Sequence, residues 1–201
     1  LMNGIYDNMV ANIAADRGVT PQATRAAIEA TPFTAQHAQE LHLIDQIGRP
    51  EEAERAALAR AENAEMVDFT DYHAPTHSGG RTIAVVQGEG AIVSGPEQHD
   101  LFSDESVMNS DAIAQALLDA SEDDDVAAIV FRVSSPGGSV VASDQILAAL
   151  RTAKERGKHI VVSMGDVAAS GGYYVSAFAD EIVASPSTIT GSIGVVGGKL
   201  I

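Results

Sequence analysis

The sequence predicts an α/β domain built on a mostly parallel sheet and preceded by a helical segment. Three observations carry this expectation. From Thr82 onward, short β-branched runs alternate with amphipathic stretches, the pattern of parallel strands joined by right-handed helical crossovers. Over residues 1–63 the apolar residues instead recur at helical spacing. Between the two lies His73 to Arg81, His-Ala-Pro-Thr-His-Ser-Gly-Gly-Arg, whose proline and glycines interrupt either period. The division expected is a helical segment with its linker over 1–65 and an α/β domain over 66–201.

In the first part, Ile5, Met9, Val10 and Ile13 share one helical face. Thr20-Pro21 is a cap followed by a first-turn proline, and Thr34 opens another helix. Glu51 to Asn63 is Ala-rich and charged, which suits a surface helix. In the second part, Ile83–Gln87 reads as a strand, Asp111–Ala120 as a helix and Val126–Val133 as a buried strand. Val140–Arg156 is an amphipathic helix closed by Gly157, and His159–Met164 is another strand. Ser170–Ala179 is a short helix and Glu181–Ala184 a strand. The acidic run Glu122-Asp123-Asp124-Asp125 lacks the alternating spacing of a calcium loop and reads as a solvated turn, so no metal is expected.

Composition narrows the function. Of the residues 45% are hydrophobic and only 4% aromatic, so the core is Ala, Val, Ile and Leu. Twelve Lys and Arg against 28 Asp and Glu leave a formal net charge of -16, which repels phosphate backbones and argues against a nucleic-acid partner. The absence of cysteine excludes disulfides, thiolate catalysis and Cys-ligated metal. No apolar run reaches the roughly 20 residues of a membrane-spanning helix, and Leu1-Met2-Asn3-Gly4 does not start a signal sequence. Both ends read as cuts through a longer protein.

Chemistry in parallel sheets gathers at the carboxyl ends of strands. Two such junctions are unusual here: Ser134-Ser135-Pro136-Gly137-Gly138-Ser139 and Gly165-Asp166-Val167-Ala168-Ala169-Ser170-Gly171-Gly172. The second sets a hydroxyl at a helix start, where backbone N–H groups are free and glycine lets a carbonyl approach them. Acyl transfer needs that combination: a nucleophilic oxygen beside preorganised donors for the tetrahedral oxyanion. Ser170 is the candidate nucleophile and the Gly171 N–H the first donor, with Gly138 preferred as the second and Gly137 behind it. The plainer alternative is that Ser170 only caps a helix and the glycines only permit tight turns.

Three segments, Phe131 to Val140, Ala168 to Tyr174 and Thr188 to Gly194 (Thr-Ile-Thr-Gly-Ser-Ile-Gly), together resemble the signal peptide peptidase A family in residues, order and separation. The resemblance covers about residues 80–196. It implies a Clp protease/crotonase-like domain of repeated β-β-α units, and a serine/lysine dyad in which Ser170 attacks and an uncharged lysine accepts its proton. Pro32 to Gly48 resembles a helix-and-turn segment that in this family follows a catalytic domain, but here precedes one. That order fits the long, duplicated members, whose base lysine comes from the first half, upstream of Leu1. On this reading the general base is not in this chain, and the chain alone is inactive.

The lysines present are consistent with that expectation. Lys154 and Lys158 end a charged helix, and Lys199 does not match the family's lysine position. The six histidines, His37, His42, His73, His77, His99 and His159, all precede Ser170, against the order of a Clp-type triad. Asp166 reads as a turn residue. The resemblance further implies cleaved signal peptides as substrates, a homo-oligomer, no cofactor, and a place at the outer, periplasmic side of the inner membrane with the anchor outside these residues. Val140 and Val141, with Tyr173 and Tyr174, are candidates to line the substrate groove, Val140 and Tyr173 foremost. The competing readings are a crotonase-like acyl-CoA enzyme, which the acidity disfavours, and a non-catalytic scaffold.

Overall fold

The computed structural model describes residues 1–61, 64–68, 70–73, 79–96 and 106–194. They fall into two compact units, Leu1–Ser78 and Gly79–Ile201.

The first unit is helical: α1 (Met2–Arg17), α2 (Pro21–Glu29), α3 (Ala35–Glu40) and α4 (Pro50–Arg60). Its caps follow from its sequence. Thr20 accepts the Ala23 N–H at 3.1 Å and Thr34 the His37 N–H at 3.3 Å. Gly18, in the left-handed conformation at φ 64, ends α1. Val10 and Ala14 of α1 are buried, as are Thr24 and Ala27 of α2. The Arg17 guanidinium grips the Asp45 carboxylate through two hydrogen bonds of 2.8 and 3.1 Å, which holds that carboxyl below its usual range. No residue of α4 is buried, as its charged composition predicts.

The second unit is the α/β domain expected. Its elements are β1 (Thr82–Glu89), β2 (Ala91–Val93), β3 (Val107–Asn109), α5 (Ser110–Glu122), β4 (Val126–Ser135), α6 (Val140–Glu155), β5 (His159–Ala169), α7 (Gly171–Ser176), β6 (Glu181–Val183) and β7 (Ile189–Gly191). Among the described residues the main sheet runs β1-β4-β5-β6, every pair parallel, with β7 also on β5. β2 and β3 form a small parallel sheet of their own.

Period-two alternation sets the core. Ile129, Phe131 and Val133 of β4 and Ile160 and Val162 of β5 are all fully buried, while Arg132 between them is exposed. Ile146, Leu150 and Ala153 of α6 and Leu117 of α5 join the same cluster.

Three strands of the structure are not apparent in the sequence pattern. β2, β3 and β7 have three residues each, too few to display a period. β5 runs five residues past Met164, to Ala169, because β7 gives its far end a partner. The helix after it is shorter than expected, Gly171–Ser176. Lys199, His77 and His99 lie outside the described residues.

Candidate active site

β5 delivers Ser170 to the carboxyl edge of the sheet, immediately before α7. Its backbone sits at φ 51, ψ −116, a region that side chains other than glycine avoid and that costs about 1–3 kcal/mol. The real caps of this chain are different. Thr20, Thr34 and Ser139 have φ of −80, −73 and −62, and each accepts an N–H three residues on. Ser170 makes no such bond. Among the described residues its hydroxyl has no hydrogen-bond partner, although its backbone is tied at both ends. The Ser170 N–H donates to the Gly191 carbonyl at 2.9 Å, and the Ser170 carbonyl accepts the Tyr174 N–H at 2.9 Å.

The Pro136-Gly137-Gly138 turn at the end of β4 packs directly on this residue. A Cβ on Gly137 would stand 2.7 Å from the Gly171 nitrogen and 2.8 Å from the Ser170 Cβ. Gly138 makes an isolated parallel bridge with Ile92: the Ile92 N–H donates to the Gly137 carbonyl at 2.9 Å, and the Ser139 N–H to the Ile92 carbonyl at 2.8 Å. In a parallel ladder the bridging residue's own N–H points to the opposite side. The Gly138 N–H therefore faces away from β2. A Cβ on Gly138 would meet the Ile92 carbonyl oxygen at 2.2 Å, so only glycine allows this approach. The two glycines differ in what their N–H groups do. That of Gly137 already donates to the fully buried Ser135 hydroxyl at 3.1 Å, whereas that of Gly138 has no partner among the described residues.

Gly138, Ser170 and Gly171 line one cleft of ≈ 260 Å³, with Val140, Tyr174 and Ile193 as its apolar wall. The two groove candidates separate here. Val140 lines the cleft and is 58% exposed, but Tyr173 packs against the core. The ring that reaches the cleft is that of Tyr174, because residues one apart on α7 point about 100° apart. The Tyr174 phenol donates to Asp144 at 3.1 Å, and that carboxylate pushes the phenol above its usual pKa.

None of the described lysines or histidines lines this cleft. Lys154 pairs with Asp180 at 2.8 Å and lies 4.9 Å over the Phe178 ring. Lys158 donates to the carbonyls of Asp123 and Val126 at 2.6 and 2.7 Å, where β4 begins. His159 opens β5 and faces Asp180 at 3.6 Å. At about 3.3 Å per residue, the length of β5 puts His159 roughly 30 Å from Ser170. Asp166 is exposed and lines a different cleft of ≈ 510 Å³ with Arg132 and Thr188.

The sequence model described as peptidase family S49 matches residues 152–200, the stretch that holds Ser170 and the Thr188–Gly194 segment. Over 96% of its length the chain is 38% identical to Protease 4 of Salmonella typhi, and over 99% it is 30% identical to the chloroplastic serine protease SPPA of Arabidopsis thaliana. The chain belongs to peptidase family S49. It spans about a third of the length of these two S49 relatives, 33% and 31%. A solved structure of the 1510-N membrane-bound stomatin-specific protease is similar at a TM-score of 0.46 and 19% identity, covering 62% of this chain and 53% of its own.

Proposed function

We propose that this chain carries the nucleophile side of a serine peptidase active site, with Ser170 as nucleophile and the N–H groups of Gly171 and Gly138 as the oxyanion hole. One observation carries the reading: a strained serine whose hydroxyl caps nothing, beside two backbone N–H groups that donate to nothing among the described residues. A cap alone does not require the strain. Gly137 is set aside as a donor because its N–H is already bonded to Ser135.

The reaction follows from this placement. A substrate carbonyl enters the cleft with its oxygen between the two N–H groups, and the Ser170 Oγ attacks its carbon while a general base accepts the hydroxyl proton. The tetrahedral intermediate collapses to an acyl-enzyme, the departing amine takes the proton, and water releases the acid by the reverse steps. The base must be uncharged to accept a proton at neutral pH. A lysine achieves this only when desolvated or set near positive charge, and Lys154 and Lys158, both paired near the opposite edge of the sheet, meet neither need. The base is assigned to a lysine upstream of Leu1. The apolar wall of Val140, Tyr174 and Ile193 suits short apolar peptides, and cleaved signal peptides are the proposed substrates. The proposed setting is a homo-oligomer at the extracytoplasmic face of the inner membrane. No helix among the described residues is long and apolar enough to span a bilayer.

The test is labelling by a fluorophosphonate probe, together with turnover of an apolar peptide, in the full gene product and in the 201-residue chain. The full product is expected to label and turn over, Ser170→Ala to abolish both, and the chain alone to show little or no turnover. Labelling unaffected by Ser170→Ala would overturn the nucleophile. Robust Ser170-dependent turnover by the chain alone would overturn the assignment of the base.

A further inference from the structure

The Thr188–Gly194 segment stands out in the sequence, yet the proposed reaction uses none of its threonines. The fold shows what they touch. β6 pairs with β5 only as far as Ser163, and β7 takes over along the last residues before the nucleophile, pairing Val167 with Ile189, Ala168 with Thr190 and Ala169 with Gly191. In this same stretch β5 has left regular register with β4. Beside the backbone pairing, three further hydrogen bonds stitch this segment to it. The Thr188 hydroxyl donates to the Gly165 carbonyl at 2.8 Å, the Thr190 hydroxyl to the Ala168 carbonyl at 2.7 Å, and the Ser170 N–H to the Gly191 carbonyl at 2.9 Å.

Strained backbone persists only where its surroundings over-determine it. Ser170 has a competing relaxed state, the extended conformation in which a serine oxygen caps its helix, as Ser139 does for α6. A serine in that state has turned its oxygen onto the helix N–H groups and out of the attacking position. We propose that Thr190 is a positioning residue: by bonding the Ala168 carbonyl it locks β7 in register, so that the Gly191 carbonyl holds the Ser170 N–H and the hydroxyl stays in the cleft. This inference rests on Ser170 being the nucleophile. It gives Thr190 a role distinct from lining the cleft, whose apolar wall is Val140, Tyr174 and, from this same segment, Ile193.

The experiment compares Thr190→Val, which keeps the branched shape and loses the donor, with Thr190→Ser, which keeps the donor, in the full gene product. Thr152→Val is the control, since the Thr152 hydroxyl bonds Ala148 within α6. Thr190→Val is expected to slow fluorophosphonate acylation and kcat by about tenfold or more while leaving KM within about twofold, and Thr190→Ser to restore most of the rate. Equal acylation by Thr190→Val and wild type overturns the proposal. So does a Thr190→Ser variant as slow as Thr190→Val, because packing rather than the hydrogen bond would then be at issue. If circular dichroism shows Thr190→Val unfolded, Thr190→Ala against Thr190→Ser carries the same comparison at a temperature where both are folded. Failure of the wild type to label, or labelling that survives Ser170→Ala, overturns the nucleophile and this inference together. A Ser170-dependent label indifferent to residue 190 overturns this inference alone.

Discussion

The two edges of the parallel sheet are built from opposite materials. At the amino edge, charged groups are crowded and the basic ones are paired: Lys154 and His159 face Asp180, Asp180 also accepts the Ile160 N–H at 2.8 Å, and Lys158 caps two carbonyls. At the carboxyl edge, the cleft around Ser170 has almost no charge, but it holds a hydroxyl and two N–H groups with no partner among the described residues, under a strained backbone. The difference teaches where to look for chemistry in such a domain. Titratable side chains whose hydrogen bonds are satisfied hold the fold together, whereas unsatisfied donors held rigidly beside a nucleophile are available to a transition state.

The largest effect that can break this contrast is expected from the glycines. Gly138→Ala would set a Cβ 2.2 Å from the Ile92 carbonyl oxygen, and Gly171→Ala one 2.6 Å from the Ser143 hydroxyl. Either should move a proposed oxyanion donor and lower the acylation rate of the full gene product by roughly a hundredfold or more, measured by timed labelling. A rate near wild type for both would mean that the oxyanion is held elsewhere.

A smaller effect, on stability alone, is expected at Asp180. The Lys154 ammonium first, and then the Ile160 N–H, hold its carboxyl below the usual range. With the folded pKa depressed, its stabilisation is present above an unfolded pKa of about 4 and is lost as pH falls through the lower folded value. Asp180→Asn should therefore cost roughly 1 kcal/mol at neutral pH, and the deficit should shrink on acidification below about pH 4, as read from urea melts. Labelling of Ser170 should not change. The smallest effect is expected from Lys154→Met and Lys158→Met, which should keep labelling within about twofold and lose under about 1 kcal/mol. A collapse of turnover in either would place a base at the wrong edge of the sheet and sharply revise the contrast.

Much of this was legible in the residues themselves. The strands and helices long enough to show a period start within about a residue of where the pattern puts them, although β5 and α7 end elsewhere, and Ser170 stands between strand and helix. The short partners were not legible. β7 exists because Ile189, Thr190 and Gly191 meet Val167, Ala168 and Ala169, a pairing of residues more than twenty positions apart that leaves no periodic trace in three residues. The exchange of Tyr173 for Tyr174 has a similar cause, since two adjacent tyrosines are equivalent in the sequence and only the rotation of α7 sends one to the core and the other to the cleft.

By itself the sequence determined the α/β class, the position of the candidate nucleophile between strand and helix, and the need for glycine around it. These are local properties, set by period, capping chemistry and backbone freedom. Only the tertiary structure decided that Ser170 is strained rather than capping, that Gly138 and not Gly137 has an N–H to spare, and that Thr190 braces the strand behind them. Those depend on which carbonyl or hydroxyl arrives from a distant segment to take each hydrogen bond, and folding alone brings such partners together.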